Sequence, residues 1–163
     1  MQLQKRHNDA ESAFTTCVTL DRNFASAYAE LGHEKQYLAK SEEVFPLVQQ
    51  AMRLSPRDPN LGFWMAIVGY AYHFVERDAD AIEWLKRTIV AAPRTAGFYL
   101  PLASAYALSG QLDEARSALA AHNQLMPNMT ISALRADYQS DNPIFLKRRE
   151  RYLHGLTLAG MPE

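Results

Sequence analysis

Apolar residues along this chain come in short blocks separated by polar turns, many of them carrying proline. The most apolar block, GFWMAIVGYAYHF at residues 62–74, has no full charge in thirteen positions. Crossing a bilayer as a helix takes about 20 such residues, and SPRDPN and VERDAD close the block on either side. It does not alternate apolar with polar as a half-buried strand does. Its small residues Ala66, Gly69 and Ala71 fall where close helix contacts would need them. Alone, the block leaves strand and helix open. Its phase relative to the rest of the chain decides.

Four stretches, LDRN, LSPRD, AAPRT and LMPNM, each end an apolar run. Their third residues are Arg22, Pro56, Pro93 and Pro127, at intervals of 34, 37 and 34. Twelve residues before these stand Ala10, Val44, Ala81 and Ala115, and eight before stand Phe14, Val48, Leu85 and Leu119. The preceding halves match as well, with Leu31, Gly32 and Lys35 corresponding to Val68, Gly69 and Tyr72 and to Leu102, Ala103 and Tyr106. A period of this length made of two apolar helices each is the signature of a helical repeat array. The pattern predicts helices over residues 8–20, 24–38, 42–54, 61–75, 79–91, 96–109 and 112–125. Pro46 and Pro101 fall inside two of them, so either those helices start later or they kink, because proline lacks the N–H and clashes with the preceding turn.

With its L-G-x-x-Y, A-x-x-x-F and proline positions, the stretch from residue 8 to 128 resembles the tetratricopeptide repeat (TPR) family. The resemblance implies an all-α, right-handed α-α superhelix of about three and a half repeats. Residues 1–128 form the repeats and residues 129–163 a C-terminal extension with a capping helix. Ser140 or Asp141 is the expected cap of that helix over 143–157, and Gly160 its stop. Ile144, Leu146, Tyr152, Leu153 and Leu156 would make its apolar stripe and LKRRER its wet face. The first repeat lacks its first helix, which would leave Phe14 and Val18 without a partner. We therefore expect either a longer parent protein or self-association through that uncapped end.

A second resemblance is narrower. MRLSPRDPNLGFW, GQLDEARSALAAHNQLMPNMTISALRADY and the terminal RYLHGLTLAGMPE are similar to the TPR tail of bacterial class III adenylate cyclases. That implies a non-catalytic, regulatory segment in a signalling protein, with any catalytic domain upstream. Similar tails follow winged-helix transcriptional regulators. A sensor domain for a small molecule or peptide ligand is therefore the alternative reading.

Composition changes this picture little. There are 17 Lys+Arg against 18 Asp+Glu, a formal charge of −1, so no global field draws nucleic acid or an anionic membrane. Cys17 is the sole cysteine, which excludes a disulfide framework and a Cys-based zinc site. The start MQLQKRHNDA has no apolar signal region, and we expect a cytoplasmic protein. HEKQY at 33–37 has Tyr37 where a zinc helix needs its second histidine. Glu42–Glu43, Asp78–Asp80 and Asp113–Glu114 favour helix starts electrostatically. No Ser/His/Asp set has a reason to converge, and no cofactor or metal is expected.

What remains is the concave groove that the family's first helices line. Carrying those positions over gives His33, Gln36 and Tyr37, then Phe63, Tyr70, His73 and Phe74, then Leu100 and Ser104. Ala29, Ala66 and Ala107 lie between them. The resemblance implies a protein or peptide partner in that aromatic groove. The family's carboxylate-clamp residues are missing, which argues against chaperone tails. Whether the rings face a partner or pack against the C-terminal helix stays open at this level.

Overall fold

A computed structural model describes residues 2–137 and 139–163. Met1 and Tyr138, which fall within the two expected domains, lie outside the described residues. Helices α1 (Gln2–Leu20), α2 (Ala25–Tyr37), α3 (Ser41–Leu54), α4 (Leu61–Phe74) and α5 (Asp78–Ala91) follow one another as antiparallel neighbours. They continue as α6 (Tyr99–Leu108) and α7 (Leu112–Leu125), then a short α8 (Ile131–Ala136) and a long α9 (Pro143–Ala159). Among the described residues there is no strand. This is the all-α solenoid that the repeat phase implied.

Each repeat closes in the same way. Where first and second helices cross, a Cβ on Gly69 would sit 2.7 Å from Leu85 Cγ, so only glycine lets α4 and α5 pack this closely. The hairpin turn is also repeated. Ala39, Glu76 and Gly110 hold φ of 62°, 62° and 78°, in the left-handed region. The residue after each donates its N–H to a carbonyl five positions back, from Lys40, Arg77 and Gln111 to Lys35, Tyr72 and Tyr106, at 2.8–2.9 Å. The two internal prolines are accommodated differently. A 3-10 turn over Ala96–Phe98 delays α6 to Tyr99, placing Pro101 in its first turn, where an N–H would have no helical partner. Pro46 stays inside α3, which continues through it.

Two expectations need correction at the ends. α1 begins at Gln2 instead of residue 8, and it is not an apolar helix left bare. Phe14 and Val18 are half-buried, whereas the outer positions Ser12, Thr15, Thr16 and Thr19 are polar, and their hydroxyls bond back to carbonyls four residues earlier. The outer face of α1 is thus largely polar, with Leu20 exposed at its end. Lys35, standing where later repeats carry tyrosine, ion-pairs with Glu11 of α1 and Glu43 of α3.

The C-terminal extension differs more. α8 was not anticipated. α9 is capped by Asn142, whose Oδ1 accepts from the N–H groups of Ile144 and Phe145 at 2.9 and 3.2 Å, with Pro143 at the first helical position. Ser140 has another job, donating to the Tyr37 carbonyl at 2.7 Å. Gly160 ends the helix with φ 98°, as expected. Ile144 and Leu146 face outward, and the inward face is Phe145, Arg149, Tyr152, Leu153 and Leu156. The helix does not stack on α7 as one more repeat would. It packs most closely on α6 and reaches back over α4 and α2.

Candidate functional site

The first helices α2, α4 and α6 stand side by side, and their inward residues form the concave face. α9 lies across that face. Phe145 touches Tyr37 of α2 and Phe74 of α4, with ring centroids 5.8 and 5.3 Å apart. Further along α9, Tyr152 meets Tyr70 and His73 of α4, and then Gly155 rides directly over Ser104 of α6. A side chain at 155 would enter the space held by the Ser104 hydroxyl and backbone.

Three arginines hold the helix in place. Arg148 donates to the Ala39 carbonyl (3.1 Å) and the Ser41 hydroxyl (3.2 Å) at the turn after α2. Arg151 donates to the His73 carbonyl and the Asp78 carboxylate at the equivalent turn after α4. The two turns are one repeat apart in sequence, and α9 engages both from neighbouring positions on one face. Arg149 is 8% exposed and caps α8 through the carbonyls of Leu134, Arg135 and Asp137. Cations at helix C-termini are electrostatically favoured. Reading LKRRER as a wet face was therefore wrong for these three residues.

Beneath α9 the structure joins three residues that sequence reasoning left apart. His73 Nδ1 lies 2.6 Å from Asp78 Oδ1, which accepts from it, and its Nε2 lies 3.0 Å from Ser104 Oγ. Ser104 in turn donates to the Tyr152 carbonyl at 2.8 Å. The order Ser–His–Asp is that of a hydrolase relay, in which the imidazole takes the serine proton. Here the Ser104 hydroxyl donates to a carbonyl instead. Gly155 covers the hydroxyl, and Ser104 and His73 are 0% and 1% exposed. The chain of bonds staples α9 to α4, α5 and α6. Burial alone would raise the Asp78 carboxyl, but His73 and Arg151 hold it below the ordinary aspartate value.

The expected groove residues therefore divide. His73, Leu100 and Ser104 are buried rather than open groove positions, and α9 lies directly against His73 and Ser104. His33, Gln36, Tyr37, Phe63, Tyr70 and Phe74 line one cavity of about 300 Å³, closed on its far side by Phe145, Arg149 and Tyr152. Phe74 also belongs to the core, so its correct description is wall rather than surface. His33 sits 4.7 Å from the Tyr37 ring and 5.2 Å edge-on from Phe63. Burial raises Tyr37 to about 12, helped by Tyr70, Glu34 and Glu30, and burial also holds Tyr70 and Tyr152 above the ordinary phenol value. The tyrosines walling the cavity are thus neutral at physiological pH.

His7, on α1, lies against Tyr37. Its ring stacks on Tyr37 at 4.7 Å, with Nδ1 2.7 Å from Glu34 Oε2 and Nε2 2.6 Å from the Gln139 carbonyl oxygen. Gln4 N–H donates to Asp141 at 2.7 Å. The first turns of α1 therefore meet the segment leading into α9. Nothing in the repeat phase signals these contacts, since they pair the two ends of the chain. Among the described residues, no cluster of three or more His, Cys, Asp or Glu is placed to hold a metal ion, and no helix is long and apolar enough to cross a membrane.

No protein-family model and no curated protein matches the chain. Solved structures do. A structure of MamA matches with a TM-score of 0.68 at 18% identity, over 94% of this chain and 86% of that one. YrrB, described as a TPR protein with an unusual peptide-binding site, matches at 0.63 and 21% identity over 95% and 77% of the two chains. TTC0263, a thermophilic TPR protein in Thermus thermophilus, matches at 0.63 and 19% identity over 95% and 82%. At these identities the likeness is one of fold, and the fold is the TPR solenoid. The similarity to cyclase tails rests on the quoted stretches alone.

Proposed function

We propose that this chain is a non-catalytic protein-interaction and regulatory module whose concave face binds an amphipathic helix of a partner, a place its own α9 fills at rest. The supporting observation is how α9 is held. A helix presenting Phe145, Tyr152 and Leu156 to α2, α4 and α6, and arginines to two successive hairpin turns, is the helix-in-groove mode of peptide recognition. A partner helix with aromatic anchors and basic residues at the same spacing would compete for the same turns. A position at the regulatory end of a larger signalling protein, as the cyclase-like stretches suggest, is part of this proposal.

The proposal is tested by introducing a protease site among residues 137–141 of the full chain and cutting it after folding. The severed α9 should stay bound and should exchange with a labelled peptide of residues 141–163 at a micromolar dissociation constant. Arg151→Ala should weaken that exchange affinity about tenfold or more, as expected for a lost charged hydrogen bond. Loss of the fragment on cutting, with no rebinding of the peptide at millimolar concentration, would refute the reading.

A further inference from the structure

We infer that the cavity between the first helices and the C-terminal segment is a binding site for a small, flat, uncharged ligand with an amide-like edge, such as an aromatic carboxamide or lactam. This site adjoins the helix-binding surface, shares Tyr37, Tyr70 and Phe74 with it, and needs α9 in place, because Phe145, Arg149 and Tyr152 form one of its walls. Its volume of about 300 Å³ lies at the small end of ligand pockets. Rings from Phe63, Tyr70 and Phe145 line it, surfaces suited to stacking or edge contact with another flat ring. Gly97, Asp137 and Gln139, all exposed, mark where it meets solvent.

Gln36 supplies the chemistry. It lines the cavity and is 4% exposed, yet neither its Oε1 nor its Nε2 has a hydrogen-bond partner. Buried amides are almost always satisfied, and one that is not carries a desolvation cost. One other polar group here is partly engaged, since Arg149 gives three of its five N–H donors to carbonyls. A primary amide offers one acceptor and two donors side by side. Its complement is a group that donates and accepts along one edge. A carboxylate fits less well, because it could only accept, leaving the Gln36 Oε1 unpaired, and would meet Asp137 at the mouth.

Benzamide is the probe, with toluene and benzoate as ring-matched controls, titrated into the full chain by calorimetry and by ligand-observed NMR. Benzamide should bind saturably and about tenfold more tightly than toluene, the effect of one to two satisfied hydrogen bonds. In Gln36→Met the preference should fall to about one, with toluene binding retained. If that variant fails to fold, Gln36→Asn, which withdraws the amide by one methylene, should abolish the preference instead. The inference is overturned if no probe binds saturably, if benzamide and toluene bind alike, if benzoate binds best, or if the preference survives substitution at position 36. A failure here leaves exchange of the severed α9 untouched, so the two proposals fall separately.

Discussion

At the residue scale, Asp78 carries more than its position suggests. In the sequence it is one of several acids at helix starts, a role that explains it without any partner. In the fold it receives His73 from its own repeat and Arg151 from α9, so a single carboxylate ties the solenoid to its C-terminal helix. Its pKa is depressed in the folded state. The stabilisation is therefore complete above the unfolded value of about 3.9 and is lost as pH falls through the lower folded value. Asp78→Asn should cost on the order of 2–3 kcal/mol near pH 7. Chemical denaturation should show the gap between wild type and variant closing below about pH 4, and a gap that stays constant as the carboxyl protonates would mean the charge is not what matters. The arginine partner could not be foreseen, because the repeat phase ends before residue 151.

At the scale of elements, glycine marks both kinds of helix contact. Gly69 follows from the repeat pattern and lets α4 meet Leu85 of α5. Gly155 belongs to no repeat, and its role became visible only with α9 lying against Ser104. Gly155→Ala improves helix propensity by about 1 kcal/mol but must push α9 away from backbone that cannot yield. Overpacking of this kind costs about 1–3 kcal/mol. The net effect should be faster amide hydrogen exchange across α9 with little change in α2–α5. Protection of α9 equal to or greater than wild type would show that the contact is loose. The composition of α9 alone did not reveal its docking face. Ile144 and Leu146 are as apolar as Phe145, and the choice between them depends on which side meets the concave surface.

At the scale of the whole molecule, the chain's beginning and end meet. Gln4 and His7 of α1 contact Asp141 and the Gln139 carbonyl, so the segment entering α9 is held from both the first and the second repeats. Deleting residues 2–9 should leave the melting of the solenoid close to that of wild type. The 139–142 segment should become sensitive to proteolysis, because its backbone loses those partners. Unchanged cleavage there would show that Ser140 and Asn142, bonded to the α2 end, suffice alone.

The amino-acid sequence by itself determined the solenoid. A spacing of 34 to 37 residues puts small residues, aromatics and turn residues in phase, and such contacts are local, between neighbours along the chain. Helix ends followed within a residue or two for most of α2 to α7, and the sequence put aromatic residues on the first helices, where a concave face was expected. Only the tertiary structure decided what that face touches. Whether His73 and Ser104 are a surface or a floor depends on where α9 lies. That is set by long-range contacts, from Arg148 and Arg151 to two hairpin turns, from Gly155 to Ser104 and from His7 to Gln139, which have no period in the sequence. A repeat specifies its neighbour through local phase, whereas a helix that crosses several repeats is placed only by the surface those repeats have already built.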